Sequence, residues 1–184
     1  MMIQLLDVIA TSAASYIQSS VLREFLIIGQ GLSENESLQV ASILGIITLL
    51  MALLSPFYKV LADKWGRRAI LIINAIGMTF GFFIEFLSPT YFVFVIGQTL
   101  LAFFVIHDTQ FLYVQEISPP KHRAKLWCVL ECLRAIGILF IFLLRNVFLT
   151  SDGGNWRPVL LVPGIAGIII VVVGFFFIRE SDVF

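Results

Sequence analysis

Residues 61–71 read Leu-Ala-Asp-Lys-Trp-Gly-Arg-Arg-Ala-Ile-Leu, a short polar stretch between two long apolar segments. Gly66 permits the tight turn that so short a loop needs. Arg67 and Arg68 suit the aqueous edge of a membrane, and the acid Asp63 suits the partial positive charge of a helix N-terminus. A basic loop of an ordinary membrane protein accounts for the arginines, but not for Asp63 and Gly66 at this spacing. The stretch therefore predicts a specific connection between two membrane helices.

The composition of the whole chain agrees with that prediction. Of its 184 residues, 59% are hydrophobic and only 13% are charged, with a mean hydropathy of +0.99. A soluble domain carries about 25% charged residues, so a soluble enzyme is excluded. The 12 basic residues balance the 12 acidic ones, which leaves no basic field for nucleic acid. The apolar segments show no nucleophile–base pair and no metal-ligand spacing, so we expect no enzyme activity, metal or cofactor, and a membrane-embedded hydrolase ranks last.

Apolar segments long enough to cross a bilayer divide the chain. A membrane helix needs about 20 predominantly apolar residues. On that basis the sequence predicts an all-α, polytopic membrane protein whose six transmembrane helices form a single bundle and cover residues 1–22, 40–60, 69–87, 91–114, 126–148 and 159–178.

The distribution of Lys and Arg predicts the orientation. Eight of them flank the second and fourth loops or follow the last span, and three lie on the opposite side. By the positive-inside rule the first group is cytoplasmic, so we expect both termini in the cytoplasm. The absence of targeting features favours a bacterial plasma membrane.

Ionisable residues inside the spans are candidate functional groups, because a charge at the bilayer centre costs about 2.5–3.5 kcal/mol even on the lenient insertion scale. Glu85 is three residues from a loop and is expected to reach the interface. The deeper candidates are Asp7, His107, Asp108, Glu131 and Arg134.

Two pairings are open for Arg134. At a rise of about 1.5 Å per residue, Asp108 and Arg134 lie at matching depth on antiparallel spans and can pair. Glu131 and Arg134, three residues apart, can pair along one helix instead. Such a pair either serves transport or only holds the bundle together, and His107 is either a proton relay or a hydrogen-bonded interior residue.

The loop at 61–71 resembles the signature of the major facilitator superfamily, Gly-x-Leu-Ala-Asp-x-x-Gly-Arg-Arg/Lys-x-x-Leu/Ile, in the same position between the second and third helices. Lys59 stands where the signature begins with glycine. The resemblance implies the N-terminal six-helix bundle of a twelve-helix transporter, so the chain is expected to be a fragment or half of one.

Three further elements resemble the sugar-porter and metabolite–proton symporter branches. Residues 113–125 resemble Tyr-x-x-Glu-x-x-Pro-x-x-x-Arg-Gly-Lys, with Ala124 in place of the glycine. Trp156 and Arg157 match the pair that opens the sixth helix. Residues 179–184 resemble the start of Pro-Glu-Ser-Pro-x-Trp/Phe, with both prolines replaced.

This resemblance implies two groups of site residues. The first is the cytoplasmic charge network that closes the inner gate, and it maps onto Asp63, Gly66, Arg67, Arg68, Glu116, Arg123 and Glu180. The second lines the central cavity: Asp7 matches the acid of the first helix, and Glu131 matches a glutamine that binds sugar hydroxyls. Gln98 stands where that acid's arginine partner is expected.

The resulting hypothesis is a secondary active transporter that works by alternating access. The substrate/proton pathway comprises Asp7, Gln98, His107, Asp108, Glu131 and Arg134. Asp7 or Asp108 is the expected protonation site, and Glu131 with Arg134 favours a small charged or zwitterionic metabolite. The expected partners are this substrate, the lipid bilayer, and a missing C-terminal half or a second copy. The alternative is a non-transporting membrane module that dimerises or regulates a partner.

Overall fold

This computed structural model describes residues 2–60, 62–105, 107–149 and 155–178, with the side chains of Met2, Lys59, Ala62, Asp63, His107, Asp108, Thr109 and Phe111 outside the described part. The regular structure within these ranges is helical, which confirms the all-α class. Five of the described helices are long and apolar enough to cross a membrane, and Tyr91–Phe103 is apolar but shorter.

The helices follow one another with short connections. They are α1 (Met2–Leu22, continued by a π-helix over Arg23–Ile28), α2 (Glu34–Lys59), α3 (Ala62–Trp65), α4 (Arg67–Phe86), α5 (Tyr91–Phe103), α6 (His107–Ile117), α7 (Arg123–Phe148) and α8 (Arg157–Phe177). A 3₁₀ turn, Pro120–His122, precedes α7.

Helix α2 begins six residues earlier than the apolar pattern indicates, because a capping box starts it. The Ser33 side chain accepts from the Glu36 backbone N–H, and the Glu36 carboxylate accepts from the Ser33 N–H at 2.9 Å. Reciprocal bonds of this kind satisfy backbone donors that a helix N-terminus otherwise leaves unpaired. The first turn of α2 is therefore polar and helical before the apolar stretch begins.

The fourth predicted span, 91–114, is not one continuous helix. Helix α5 ends at Phe103, and α6 begins only at His107. Phe104 has φ −90° and ψ 13°, outside the helical range. Neither Pro nor Gly occurs between 98 and 118, so no helix-breaking residue marks this position in the sequence. The hydrophobic pattern alone did not predict the break. Irregular backbone at membrane depth is tolerated where it is buried in protein or lines a cavity.

The packing is organised around α4, which lies between α5 and α8, while α1 contacts α7, α8, α4 and α5. Gly77 and Gly81 of α4 face α5. A methyl group at Gly81 would lie 2.7 Å from the Leu101 side chain, and one at Gly77 would overlap the Phe104 ring. Small residues let membrane helices approach closely, and close van der Waals packing is what holds them together.

Helices α2 and α7 differ from the others in exposing most of their apolar side chains. In the apolar window of α2 only 11% is buried, and in that of α7 17%, against 56% for α4. Both helices therefore present broad apolar faces that the described part of the chain leaves uncovered.

Candidate functional site

A cavity of about 400 Å³ lies between α1, α2 and α5, beside the break that follows α5. Its polar lining consists of hydroxyl and amide groups, and its apolar lining of small residues and Leu101. The polar residues are Thr11, Thr48, Ser55 and Gln98. The volume lies within the range of small-molecule sites, which begins at about 300 Å³. Among the cavity-directed candidates whose side chains the structure describes, Gln98 is the one that lines this space.

The hydroxyl groups of this cavity differ in how they are bonded. The hydroxyl of Thr48 lies 3.1 Å from that of Thr99, a residue of α5 outside the cavity lining that donates to the Val95 carbonyl at 2.7 Å, and this contact ties α2 to α5. Thr11 bonds its own helix, at 3.1 Å from the carbonyl oxygen of Asp7. Ser55 is 4% exposed, and its Oγ has no hydrogen-bond partner. An unpaired buried hydroxyl on a cavity wall is a ready partner for a bound polar solute.

Asp7 is placed on α1 one turn before Thr11 of the cavity. It is buried, with 2% of its surface exposed. The structure thus brings Asp7 into the interior next to the cavity wall. Gln98 lies on the cavity wall contributed by α5.

Glu131 and Arg134 form the pair along one helix that the sequence left open. Their nearest charged atoms are 4.0 Å apart, and the side chains are 40% and 47% exposed. The competing partner, the Asp108 side chain, and that of His107 lie outside the described residues. Both members of the pair lie on α7 and are partly exposed.

The described members of the predicted cytoplasmic gate lie at the end of the bundle that carries the basic loops. Arg67 of α4 donates through Nε to Glu116 of α6 at 3.2 Å, and these side chains are only 17% and 19% exposed. Gly66, which precedes α4, has φ +90°, a value that L-residues other than glycine rarely adopt. The tight turn expected at this position is therefore present.

The other gate residues bond the backbone or fall outside the described part. Arg68 donates to the Phe175 carbonyl at 2.7 Å and lies over the Phe175 ring. Arg123 donates to the Ser118 carbonyl at 3.1 Å. The side chains of Asp63 and Glu180 are not among those described.

A second polar cluster closes the opposite end of the bundle. Arg157 at the start of α8 bonds Glu24 of the π-helix at 2.8 Å and approaches the Ser88 carbonyl at 3.5 Å. The Trp156 indole N–H also donates to Glu24, and the Arg157 guanidinium lies over that indole. The sequence marked Trp156 and Arg157 through a family element but missed Glu24. A π-helix has no simple sequence signal, although such segments recur at functional sites.

Two buried polar side chains of α4 stand apart from these clusters. Asn74 and Glu85 are both 0% exposed, and within the described part of the chain no polar atom of either side chain has a hydrogen-bond partner. The expectation that Glu85 reaches the interface is wrong. Its position near the helix end did not reveal that α5 packs over it.

Metal chemistry has no support in the described geometry. Within the described ranges, no three His, Cys, Asp or Glu side chains come together as a metal site.

Comparison with known proteins identifies relatives of this chain. The model of the Major Facilitator Superfamily matches residues 5–183. The glucose transporter GlcP of Staphylococcus epidermidis is 31% identical over 124 residues, which is 66% of this chain and 27% of the relative. The galactose-proton symporter of Escherichia coli strain K12 is 32% identical over 66% of this chain and 26% of its own length. The human putative transporter SVOPL is 30% identical over 79% of this chain and 29% of its own length.

Solved structures show the same fold. The D-xylose-proton symporter superposes with a TM-score of 0.77 at 20% identity, covering 98% of this chain and 47% of that chain. The inward-open xylose transporter XylE of E. coli gives a TM-score of 0.72 at 18% identity, again over 47% of its length. The chain thus spans less than half the length of the transporters that it matches.

Proposed function

Because the chain belongs to the major facilitator superfamily, we propose that it forms the N-terminal six-helix half of a secondary transporter that moves a small polar solute by alternating access. We place it in a plasma membrane, of bacterial origin, with both termini in the cytoplasm, since eight of its basic residues lie on that side. Its relatives carry transporter names, and none of the three named above is an enzyme.

The observation that carries this proposal is the cavity between α1, α2 and α5. It lies beside an interruption of the fourth span, and interrupted helices near the midplane form the binding sites of many secondary transporters. Its unpaired Ser55 hydroxyl and the Gln98 amide supply donors and acceptors without a net charge. In the complete transporter this wall would form one side of the solute site.

The lining favours a neutral, hydroxyl-rich solute. Hydroxyl and amide groups exchange hydrogen bonds with sugar-like hydroxyls in either direction. Relatives of this chain are named for glucose and galactose. A charged or zwitterionic metabolite is the second candidate, favoured by Glu131 and Arg134, whose half-exposed side chains lie 4.0 Å apart with opposite charges.

We assign the coupling proton to Asp7. Its carboxyl is buried one helical turn from the cavity wall, where a charge is costly and a neutral acid is tolerated. Gln98 replaces the arginine that the family resemblance implies as a partner, so the cavity loses a fixed positive charge. Asp108 is the alternative protonation site.

The exposed faces of α2 and α7 support a second bundle as partner. That bundle is either the C-terminal half of the same protein or a second copy of this chain. In either case bilayer lipid covers the outer surface.

Uptake into proteoliposomes tests the proposal. The protein is reconstituted and offered radiolabelled neutral sugars, amino acids and organic acids, with and without an inward proton gradient. We expect gradient-driven uptake of a neutral sugar, at least tenfold lower uptake at limiting substrate in Gln98→Ala, and loss of gradient dependence in Asp7→Asn. Gln39→Ala, on an exposed part of α2 away from the cavity, is the matched control and keeps wild-type uptake.

Two outcomes would count against the proposal. Unchanged proton-coupled uptake in Asp7→Asn would remove the assignment of the proton site, and the same experiment with Asp108→Asn examines the alternative. A crosslinked dimer that carries none of the panel would favour the non-transporting module.

A further inference from the structure

Glu85 is a buried carboxyl group that the proposed transport cycle does not use. It lies in the last turn of α4, at the end of the bundle opposite the basic loops. None of its surface is exposed, and neither Oε1 nor Oε2 has a hydrogen-bond partner among the described residues. A fully buried acid without a partner is unusual in any membrane helix.

The close approach of α5 accounts for this burial. A methyl group at Gly97 would lie 2.6 Å from Glu85 Cγ and 2.9 Å from the Glu85 backbone nitrogen. The same methyl group would lie 3.0 Å from the Gly81 carbonyl oxygen. Glu85 thus occupies the space between the two helices that a side chain at position 97 would otherwise fill.

The described charged groups at this end of the bundle do not bond the Glu85 carboxyl group, and they include Arg145 in the last turn of α7, whose buried Nε has no described hydrogen-bond partner. Arg157, the cation of α8, bonds Glu24 of the π-helix and approaches the Ser88 carbonyl oxygen. Arg23, the other charged residue of the π-helix at this end, is exposed.

The uncharged neighbours do not bond the carboxyl group either. Ser88 donates to the backbone carbonyl of Glu85 at 2.7 Å rather than to its side chain. On α5 the titratable group is Tyr91, which is buried and stacks on Phe94. No described cation or hydrogen-bond donor therefore compensates a negative charge on Glu85.

These contacts decide between the two forms of the acid. Burying an unpaired carboxylate is far more costly than burying the same group as a neutral acid. Removing one member of a buried ion pair is strongly destabilising for the same reason, because the remaining charge is uncompensated. The observed packing is accordingly compatible with the neutral acid and not with the anion.

We propose that Glu85 is a proton-binding site of the α4–α5 interface, separate from Asp7, which holds its proton for as long as the two helices remain in contact at Gly97. The proton is released when the interface opens and the carboxyl group reaches water near the Ser88 turn. Whether Glu85 carries a proton then depends on the distance between α4 and α5. This assignment does not depend on transport by the chain.

Infrared spectroscopy of the chain in lipid bilayers tests it, with exchange from H₂O to D₂O as the probe. At neutral pH we expect the carbonyl band of protonated carboxylic acids to contain a component that is lost in Glu85→Gln, shifted in Glu85→Asp and retained in Asp7→Asn. Glu131→Gln, which removes a half-exposed carboxylate, leaves the band in place. A carbonyl band that is absent from the wild type, or that is unchanged in Glu85→Gln, overturns the proposal.

A second variant tests the contact itself and covers the case in which Glu85→Gln fails to fold. In Gly97→Ala the added methyl group displaces the carboxyl group toward water, so the band is lost while circular dichroism still shows a helical chain. A folded Gly97→Ala protein with an unchanged band would overturn the dependence of the proton on the α4–α5 contact.

Discussion

The guanidinium group of Arg157 lies 2.8 Å from the carboxylate of Glu24, a residue 133 positions earlier in the chain. This pair joins the π-helix after α1 to the start of α8. The Arg157 guanidinium also approaches the Ser88 carbonyl oxygen in the turn before α5. One side chain therefore links three separate connections at the same end of the bundle.

We expect Arg157→Ala to lower the stability of the detergent-solubilised chain by about 1 kcal/mol, because both polar groups of the pair are partly exposed. Thermal unfolding followed by circular dichroism measures the change. A double-mutant cycle with Glu24→Gln isolates the pairwise energy. Arg23→Ala, which removes an exposed neighbouring cation, is the control; an equal loss in that variant would show that the Glu24 pairing is unimportant.

The contact between Arg67 and Glu116 is expected to matter for conformational exchange. Its side chains are less than one-fifth exposed, so its loss should cost more than that of a fully exposed pair. In the complete transporter we expect Arg67→Ala to reduce uptake about tenfold, equivalent to about 1.4 kcal/mol. The exchange Arg67→Glu with Glu116→Arg should restore part of the uptake, whereas Lys121→Ala should have no effect. Full uptake in Arg67→Ala would contradict a gating role.

We expect the loss of stability caused by a Gly→Ala substitution in α4 or α5 to depend on which atoms the new methyl group contacts. At Gly97 it meets backbone atoms of α4, which cannot move aside, whereas at Gly81 it meets the end of the flexible Leu101 side chain. We expect Gly97→Ala to destabilise by about 1–3 kcal/mol and Gly81→Ala by less. At Gly45 a methyl group meets nothing within 4 Å, so Gly45→Ala should be neutral or stabilising. Thermal unfolding of the three variants gives the order, and equal losses at all three positions would refute it.

Replacing Asn74 with Leu should stabilise the bundle. Both amide atoms of Asn74 are buried without partners, and an unsatisfied polar group costs about 1–3 kcal/mol. Removing that group while keeping the side-chain volume should raise the unfolding temperature. A fall instead would mean that Asn74 bonds a group absent from the described structure. Asn74→Ala, which removes the amide but leaves a cavity, separates the polar effect from packing.

Much of the fold was accessible from the sequence. The apolar segments predict six membrane-spanning regions, and the structure places helices over each of them. The turn at Gly66 follows from the motif at residues 61–71, because a glycine in a short loop permits positive φ. The prediction started the second span at residue 40 and missed the capping box, although a serine three residues before a glutamate marks it.

The candidate site was less accessible. The break between α5 and α6 has no Pro or Gly to mark it, and the burial of Glu85 depends on a glycine of another helix. For Arg134 the sequence permitted two pairings; the structure places Glu131 4.0 Å away, and the Asp108 side chain lies outside the described residues. The spacing of residues along one helix ranks such pairs only roughly. It gives no information on how each helix is rotated about its axis, and that rotation decides which side chains of neighbouring helices meet.

The sequence by itself determined which segments lie in a bilayer and to which family the chain belongs. Twenty-residue apolar runs require a bilayer whatever their neighbours are, since length and transfer energy are properties of the segment alone. What only the tertiary structure decided is which polar groups meet. The Arg157–Glu24 pair, the cavity at Ser55 and the Glu85 carboxyl pressed against Gly97 all depend on how helices distant in sequence are rotated against one another. Packing between whole helices sets that rotation, and no single segment encodes it.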